Sequence, residues 1–447
     1  MKKLVSSLIY ILSLILILSF LVVFTTENTS IVSKLYKKDI IKSIQKSPSI
    51  NYSFDNLSIK WNGLDPSLIF KNISLYDKDN NKKYLNSEKL ILKVDFISSI
   101  SEMSFIPEEI NLVNSNVDLI YDKTGIFIKD YNILDRNNTK DSLFDNIKFR
   151  ITDSNITIYD KTNSTGHELI NINMVIFNQN NQIRLFTTFN HQSSKEVIHL
   201  ASNFSLNNNM VSGRIYSQGI NVNLDSPANF YQKFNINANQ LNYIFWADIA
   251  NNEIVDLDGY FEVSSSKISN YLTKGQIILN DFSSNIFYKS KNGISNLSFT
   301  NLNFQTNNNK YKNNNLMLTK TDDILTNFSI DKLYVNDFKK TLRLLTIPSF
   351  KVIQNSTSLF ENGILNNMLA LNINDKKNFK YQLFFDQVGL QGKGIIASNL
   401  SGNIKGNSQI GYLKLDSKDV GFSYNTDRYP FSKINGDIYL KYINNKV

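Results

Sequence analysis

Between Phe54 and Phe96 the chain reads FDNLSIKWNGLDPSLIFKNISLYDKDNNKKYLNSEKLILKVDF, three alternating runs joined by two polar breaks. In the first run Leu57, Ile59 and Trp61 alternate with Ser58 and Lys60; in the last, Leu90, Leu92, Val94 and Phe96 alternate with Ile91, Lys93 and Asp95. A strand sends successive side chains to opposite faces, so this period of two predicts a sheet with one apolar face. From Tyr52 to the C-terminus short runs of this texture follow one another at intervals of roughly ten to fifteen residues. Ile73 and Leu75 alternate with Asn72 and Ser74, Ile156 and Ile158 flank Thr157, and Leu297 and Phe299 lead into Leu302 and Phe304. Leu413 and Leu415 are followed by Ile438 and Leu440, and Asn- and Asp-rich breaks at 77–83, 178–182 and 307–315 punctuate the runs. The pattern predicts a mostly β, antiparallel chain. About 25 strands at ~4.8 Å each would extend on the order of 120 Å if stacked in one direction.

The pattern changes near the N-terminus. Leu4 to Phe24 is an apolar run without a charge, and its length in a helix, about 31 Å, matches the hydrocarbon core of a bilayer. It ends Val-Val-Phe-Thr-Thr-Glu, without the small-x-small site of a cleaved signal peptide, and reads as an uncleaved anchor. Lys2 and Lys3 place residues 1–3 in the cytoplasm and the body outside it, although Lys34, Lys37, Lys38, Lys42 and Lys46 lie on the other flank. Ile31, Leu35, Ile41 and Ile44 recur at helical spacing, predicting an amphipathic helix over 30–46 that Pro48 ends. The β-rich body then occupies 50–447. Two short helices interrupt it: one over 337–345, with Phe338, Leu342 and Leu345 on one face and Asn336 or Asp337 as cap, and one opened by Ser226-Pro227 and running to Phe234. Ser115–Thr124, SNVDLIYDKT, and Ser154–Thr162, SNITIYDKT, form a two-copy repeat and read as similar supersecondary units rather than an array.

Composition adds mainly exclusions. Apolar residues make up 42% of the chain, an ordinary globular share, with 30 Phe and 22 Tyr. Gly (17) and Pro (6) are scarce, so Asn, Asp and Ser must make the turns. The excess of Asn, Ile and Lys is read as codon usage and given little structural weight. The net charge of +9 is spread thinly, without the basic stripe or module of a nucleic-acid binder, and fits a weak pull towards anionic lipid. The absence of Cys excludes disulfides, thiolate metal sites and Cys nucleophiles. His167, His191 and His199 lack metal-motif spacing, and His191 and His199 are expected on neighbouring strands or turns. Gly389, Gly392 and Gly394 lie among strands and read as turn or bulge glycines, not a phosphate loop. Asp153, Asp160 and the other carboxylates fall in turn-like positions without pairing, and Asn-x-Ser/Thr triplets such as 72–74 and 203–205 are numerous enough to arise by chance. No enzyme activity, cofactor or metal is expected.

An ordered set of segments carries a resemblance. The apolar N-terminal run, the amphipathic stretch, Trp61 and the turn Leu64-Asp65-Pro66 resemble the opening of AsmA-like proteins, and Ile73-x-Leu75, Leu90-x-Leu92-x-Val94 and Ile110-x-Leu112 continue the likeness. It is closest to the long YhdP-type members. Tyr121-Asp122-Lys123-Thr124-Gly125 and Ile158-Tyr159-Asp160 resemble their paired strand ends, and Phe245-Trp246-Ala247-Asp248 with Asp258-Gly259 is similar to their Trp-then-Gly segment. Leu400-Ser401-Gly402, Gly411-x-Leu413-x-Leu415-Asp416-Ser417, Tyr429-Pro430-Phe431 and Gly436 look like their central region. Such members are much longer, so a truncated or split product is expected.

The resemblance implies a bacterial inner-membrane, single-pass protein with its body in the periplasm. The body would be a long twisted antiparallel sheet curled into an elongated hydrophobic groove, as in TamB and chorein-type bridge proteins, carrying phospholipid towards the outer membrane. Its partners would be membrane phospholipids, with inner- and outer-membrane proteins as further candidates and no nucleic acid. The periodicity alone reaches less far: a one-sided sheet packs on another sheet, closes into a barrel or receives a ligand. Leu57, Ile59, Trp61, Ile73, Leu75, Leu90, Leu92, Val94 and Phe96 are the candidate groove lining. The other readings are a β-rich assembly factor for outer-membrane proteins and a surface adhesin of packed sandwiches.

Overall fold

The computed structural model describes residues 50–441 except 63–64, 78–82, 102–105, 123–124, 129–130, 133–146, 162–164, 180–181, 192–195, 208–209, 229–233, 271–274, 307–308, 323, 345–359, 376, 393–394 and 425–426. The expected anchor at 4–24 and amphipathic helix at 30–46 lie outside the described residues. Among those described, no helix is long and apolar enough to cross a membrane. The chain forms two compact units, Met1–Asn209 and Met210–Val447, each built on a sheet.

In the first unit β1 (Ile50–Ser53) and β2 (Asn56–Asn62) lie end to end along β3 (Asp65–Asp77). β4 (Lys83–Val94) and β5 (Pro107–Asp122) follow, separated by the short helix α1 (Phe96–Ser101). β6 (Gly125–Ile128) and β7 (Tyr131–Asn132) make a small hairpin at the end of β5. β8 (Lys148–Asp160) then pairs with β5 in parallel, and β9 (Thr165–Gln179), β10 (Gln182–His191) and β11 (Val197–Asn207) continue as an antiparallel meander. The parallel pair departs from the purely antiparallel expectation and explains the internal repeat. Asn116 lies opposite Asn155, Val117 opposite Ile156 and Leu119 opposite Ile158, so the first halves of the two copies run side by side in register, while their Tyr-Asp ends fall one residue out of step, Tyr121 facing Asp160. Like residues stack across the pair, and Asn155 donates its side-chain amide to Asn116 at 3.1 Å.

The second unit is an antiparallel meander throughout: β12 (Met210–Ala228), β13 (Phe234–Ala250), β14 (Glu253–Asn270), β15 (Gln276–Lys291), β16 (Ile294–Gln305), β17 (Lys310–Thr321), β18 (Ile324–Tyr334), β19 (Ile364–Leu371), β20 (Lys380–Gly392), β21 (Ile395–Asn407), β22 (Ile410–Tyr424) and β23 (Asp427–Lys441). The helix α2 (Val335–Leu344) follows β18, where the sequence predicts it. Of the helix expected from Ser226 to Phe234, residues 229–233 lie outside the described residues, and the described ends are strand. Residues to Ala228 complete β12, Phe234 opens β13, and Ala228 pairs with Ile236. Pro227 falls in the stretch between Leu224 and Ala228 where the β12–β13 register shifts, a place where sheets admit proline.

The strands are longer than the sequence runs suggest, because pairs of runs fuse through bulges. Among the described residues, thirteen in strands hold φ between 46° and 59°, among them Asn72, Asn114, Asp153, Asn171, Asn221, Gln240, Asn301 and Asn399. Asn and Asp tolerate this left-handed conformation better than other side chains. Each bulge resets the alternation, so Leu68 and Phe70 before Asn72 share a face with Ile73 and Leu75 after it. A side chain on the neighbouring strand takes the N–H that several of these bulges leave over. Asn221 N–H donates to Asn242 Oδ1 (2.7 Å) and Gln240 N–H to Asn223 Oδ1 (2.9 Å); Asp153 and Asn171 likewise donate to Asn173 and Asn155. The acceptor sits two residues after a bulge of its own, giving a reciprocal pattern of bulge residue, inward residue, Asn. The Asn excess is therefore structural at these positions, and Asp153 is a strand bulge rather than a turn.

Candidate functional site

Cross-strand register sorts the first unit's residues into two faces, since directly opposed residues share one. One row runs Leu57, Phe70, Leu90, Leu112, Ile151, Met174, and the next Ile59, Leu68, Leu92, Ile110, Phe149, Ile176. Beyond the bulges the same face continues as Leu75, Leu85, Val117, Ile156 and Leu169. All but Ile59, Ile110 and Ile176 belong to one cluster of buried and half-buried side chains, with Leu57 and Phe70 each 3% exposed. A bulge bends its strand, and bulges aligned from strand to strand bend the sheet along a line. The result is an apolar trough.

Of the nine candidate lining residues, Leu57, Ile73, Leu75, Leu90 and Leu92 lie in this cluster. Ile59 and Trp61 share the face by register with Leu68 and Pro66, and Val94 is buried. Phe96 is placed differently: it leaves the strand row and begins α1. Asp95 caps that helix, accepting from Ser98 N–H (2.9 Å) and Ser98 Oγ (2.6 Å), and these bonds hold its carboxyl below the usual range. From there the Phe96 ring meets Trp61 edge-on at 5.6 Å, at one margin of the trough. The missed signal was Asp-x-x-Ser, a cap pattern sitting on the apparent strand end.

Along the crease the face carries buried serines. Ser115 Oγ donates to Ser87 Oγ at 2.7 Å, Ser115 N–H donates to Ser154 Oγ at 2.9 Å, and Ser87 Oγ reaches the Val113 carbonyl at 3.0 Å. These hydroxyls satisfy backbone groups that the bulges remove from the ladder.

The second unit repeats the arrangement with more aromatics. A row runs Ser217, Phe245, Gly259, Ile286, Phe299, Leu316, Ile330, Met368, and the parallel row begins Ile215, Ala247, Leu257, Tyr288, Leu297, Leu318, Phe328, Ala370. The Phe245 ring lies over Gly259, where a Cβ would collide with it. Phe261, Phe282, Phe304, Tyr311 and Tyr334 touch in sequence at 4.0 to 6.1 Å between ring centroids, one ring per strand from β14 to β18. Helix α2 reaches both β15 and β18 and so lies across this row. Its Phe338 and Val335 are buried with Tyr311 and Leu365. Asp337, 4% exposed, accepts from Thr306 Oγ1 (3.0 Å), Asn309 Nδ2 (2.9 Å) and Tyr311 OH (3.0 Å), tying the helix to the β16–β17 hairpin. Burial and the adjacent Asp337 push the Tyr311 phenol far above its ordinary pKa. Sequence reasoning found the helix but not this anchor, whose partners are distant in the chain.

The opposite face is mixed, with charged and polar side chains among exposed aromatic and aliphatic ones such as Phe177, Phe186, Trp246 and Phe287. In the first unit Glu109, with a side chain 5% exposed, binds Lys148 (3.1 Å), Lys93 (3.2 Å) and Arg150 Nε (3.1 Å). Burial raises its pKa, but the hydrogen bonds from Lys148, Lys93 and Arg150 outweigh this and leave it below the ordinary value. His191 and His199 fall on the paired strands β10 and β11; burial and the charge of His167 lower His191. Gly389 and Gly392 lie in β20, beside the bulge at Gln387. Among the described residues no cluster of His, Asp and Glu could hold a metal ion. What the sheets offer is an apolar face kept in phase from strand to strand.

No curated protein and no solved structure matches the chain. The sequence profile of one family, described as YhdP protein, matches residues 1–446, and the chain belongs to that family.

Proposed function

We propose that this protein is an inner-membrane-anchored bridge that conducts phospholipid along the apolar faces of its sheets towards the outer membrane. YhdP proteins are an envelope family, and a β-rich chain of this kind fits a bridge-like envelope protein. The observation that carries the reading is the unbroken phase of the apolar face: bulge after bulge resets the alternation so that Leu, Ile and Phe stay on one side. Such continuity is what a path for acyl chains requires of the sheet; a packed sandwich would set the same face against a second sheet. A lipid tail of about 16 carbons loses roughly 13 kcal/mol of favourable transfer free energy when exposed to water, at ~0.8 kcal/mol per CH₂. A continuous trough would lower that barrier while headgroups stay wet, with no bond made or broken.

The test uses the full chain. A photocrosslinker replacing Leu90, on the trough face, is expected to capture phospholipid, and one replacing Lys89, on the other face, is not. Leu92→Glu with Val94→Glu should leave a folded protein that carries several-fold less co-purified phospholipid. If the double variant fails to fold, the face is a packed core, as an adhesin sandwich requires. If neither crosslinker captures lipid from a folded chain, the conduit reading falls.

A further inference from the structure

The reverse face of the first unit, away from the trough, concentrates positive charge along one margin. By register a single row there runs Lys60, Ser67, Lys93, Glu109, Lys148, Phe177, Arg184, with Arg150 in the next row. In these two rows five cations stand with one carboxylate, buried beneath three of them, and Asp65 lies on the same face one row further out. Glu109 takes one N–H bond from each of Lys93, Lys148 and Arg150. An ammonium has three donors and a guanidinium five, so each cation keeps donors for another acceptor. Glu109 thus holds three cationic heads side by side and leaves the group net positive. Between the cations are apolar side chains that water covers: Phe177 is 41% and Phe186 54% exposed, and Lys148 lies 5.6 Å from the Phe177 ring centre.

We infer that this face is a peripheral docking surface for an anionic lipid bilayer, with Lys93, Lys148, Arg150, Lys60 and Arg184 meeting headgroup phosphates and Phe177 and Phe186 entering the interfacial layer. Charge complementarity selects the occupant, and cations interleaved with exposed aromatics are the chemistry of an interfacial contact. The surface is opposite the trough, so its role is independent of lipid conduction.

The chain has no Cys, so a single introduced thiol labels cleanly. Phe186→Cys in the full chain, purified in zwitterionic-lipid nanodiscs, would carry an environment-sensitive fluorophore. Vesicles containing phosphatidylglycerol should shift its emission to the blue, salt should reverse the shift, and phosphatidylcholine vesicles should produce none. Lys60→Glu with Arg184→Glu lies outside the Glu109 cluster and should preserve the fold. It is expected to weaken vesicle binding at least about 25-fold, taking roughly five-fold per cation. Equal response to neutral vesicles, or full binding by that double variant, would overturn the inference. So would a larger shift with polyglutamate than with anionic vesicles, which would make the face a protein-docking surface.

Discussion

Glu109 and Asp337 are two buried carboxylates that serve opposite kinds of neighbour. Asp337 accepts from three neutral donors and fixes a helix, whereas Glu109 gathers three cations. Their burial would be costly without those bonds. For Glu109 the consequence is acid sensitivity with a defined sign. Its folded pKa is depressed, so the stabilisation from its ion pairs is present above the ordinary Glu value and is lost as pH falls through the lower folded value. Glu109→Gln should cost about 1–3 kcal/mol at neutral pH, the scale of a hydrogen bond to a charged group. Followed by thermal unfolding from about pH 6 to about pH 3, the wild-type curve should fall more steeply and approach that of Glu109→Gln at the acid end. Parallel curves would mean that the cluster contributes nothing titratable to folding.

At the scale of the strand, the bulge decides which face a residue occupies. Asn221 sits at φ 54° between Gly219 and Val222, and Val222 is 1% exposed. Replacing Asn221 by Ala keeps the chain length but places a Cβ in the left-handed region, at about 1–2 kcal/mol. Asn221→Gly should recover most of that loss, and deleting Asn221 should be far worse because it turns the rest of β12 inside out. Urea unfolding followed by Trp fluorescence checks the order Gly above Ala above deletion. These bulges also mark where sequence reading stopped short. Alternation at Leu57–Trp61 and Leu90–Val94 was legible because period two is imposed by the backbone itself. At Asn72 and Asp153 a single strand continues through adjacent polar residues, which break the period just as a turn does. Only the pairing of Lys71 with Lys89 across the break reveals one continuous strand. Parallel pairing of the repeat was hidden for a related reason: the two copies name a likeness, and their direction depends on a connection of some two dozen residues. Phe96 was misplaced because an apolar residue after Asp95 continues the alternation as well as it begins a helix.

At the scale of the molecule, each strand within a unit packs chiefly on its sequence neighbours, so local damage stays local, as in other quasi-one-dimensional architectures. A conduit built this way has a property that a pair of lipid-binding pockets lacks. Under the proposed function, passage needs the trough of each unit open, so a charge in either should stop flow while binding elsewhere persists. In the first unit Leu92→Glu with Val94→Glu places charge in the trough; in the second, Phe299→Glu lies in the row between Ile286 and Leu316. Crosslinkers in the unblocked unit should still capture phospholipid at near wild-type yield in either variant. Transfer of fluorescent phospholipid between donor and acceptor vesicles, each tethered to one end of the full chain, should drop at least ten-fold in both. A variant that keeps more than half of the transfer rate with its trough charged would separate binding from passage, and would make the apolar faces storage sites instead of a path. Within each unit the bulges keep the apolar face in phase on strand after strand, and continuity is what transfer requires and storage does not.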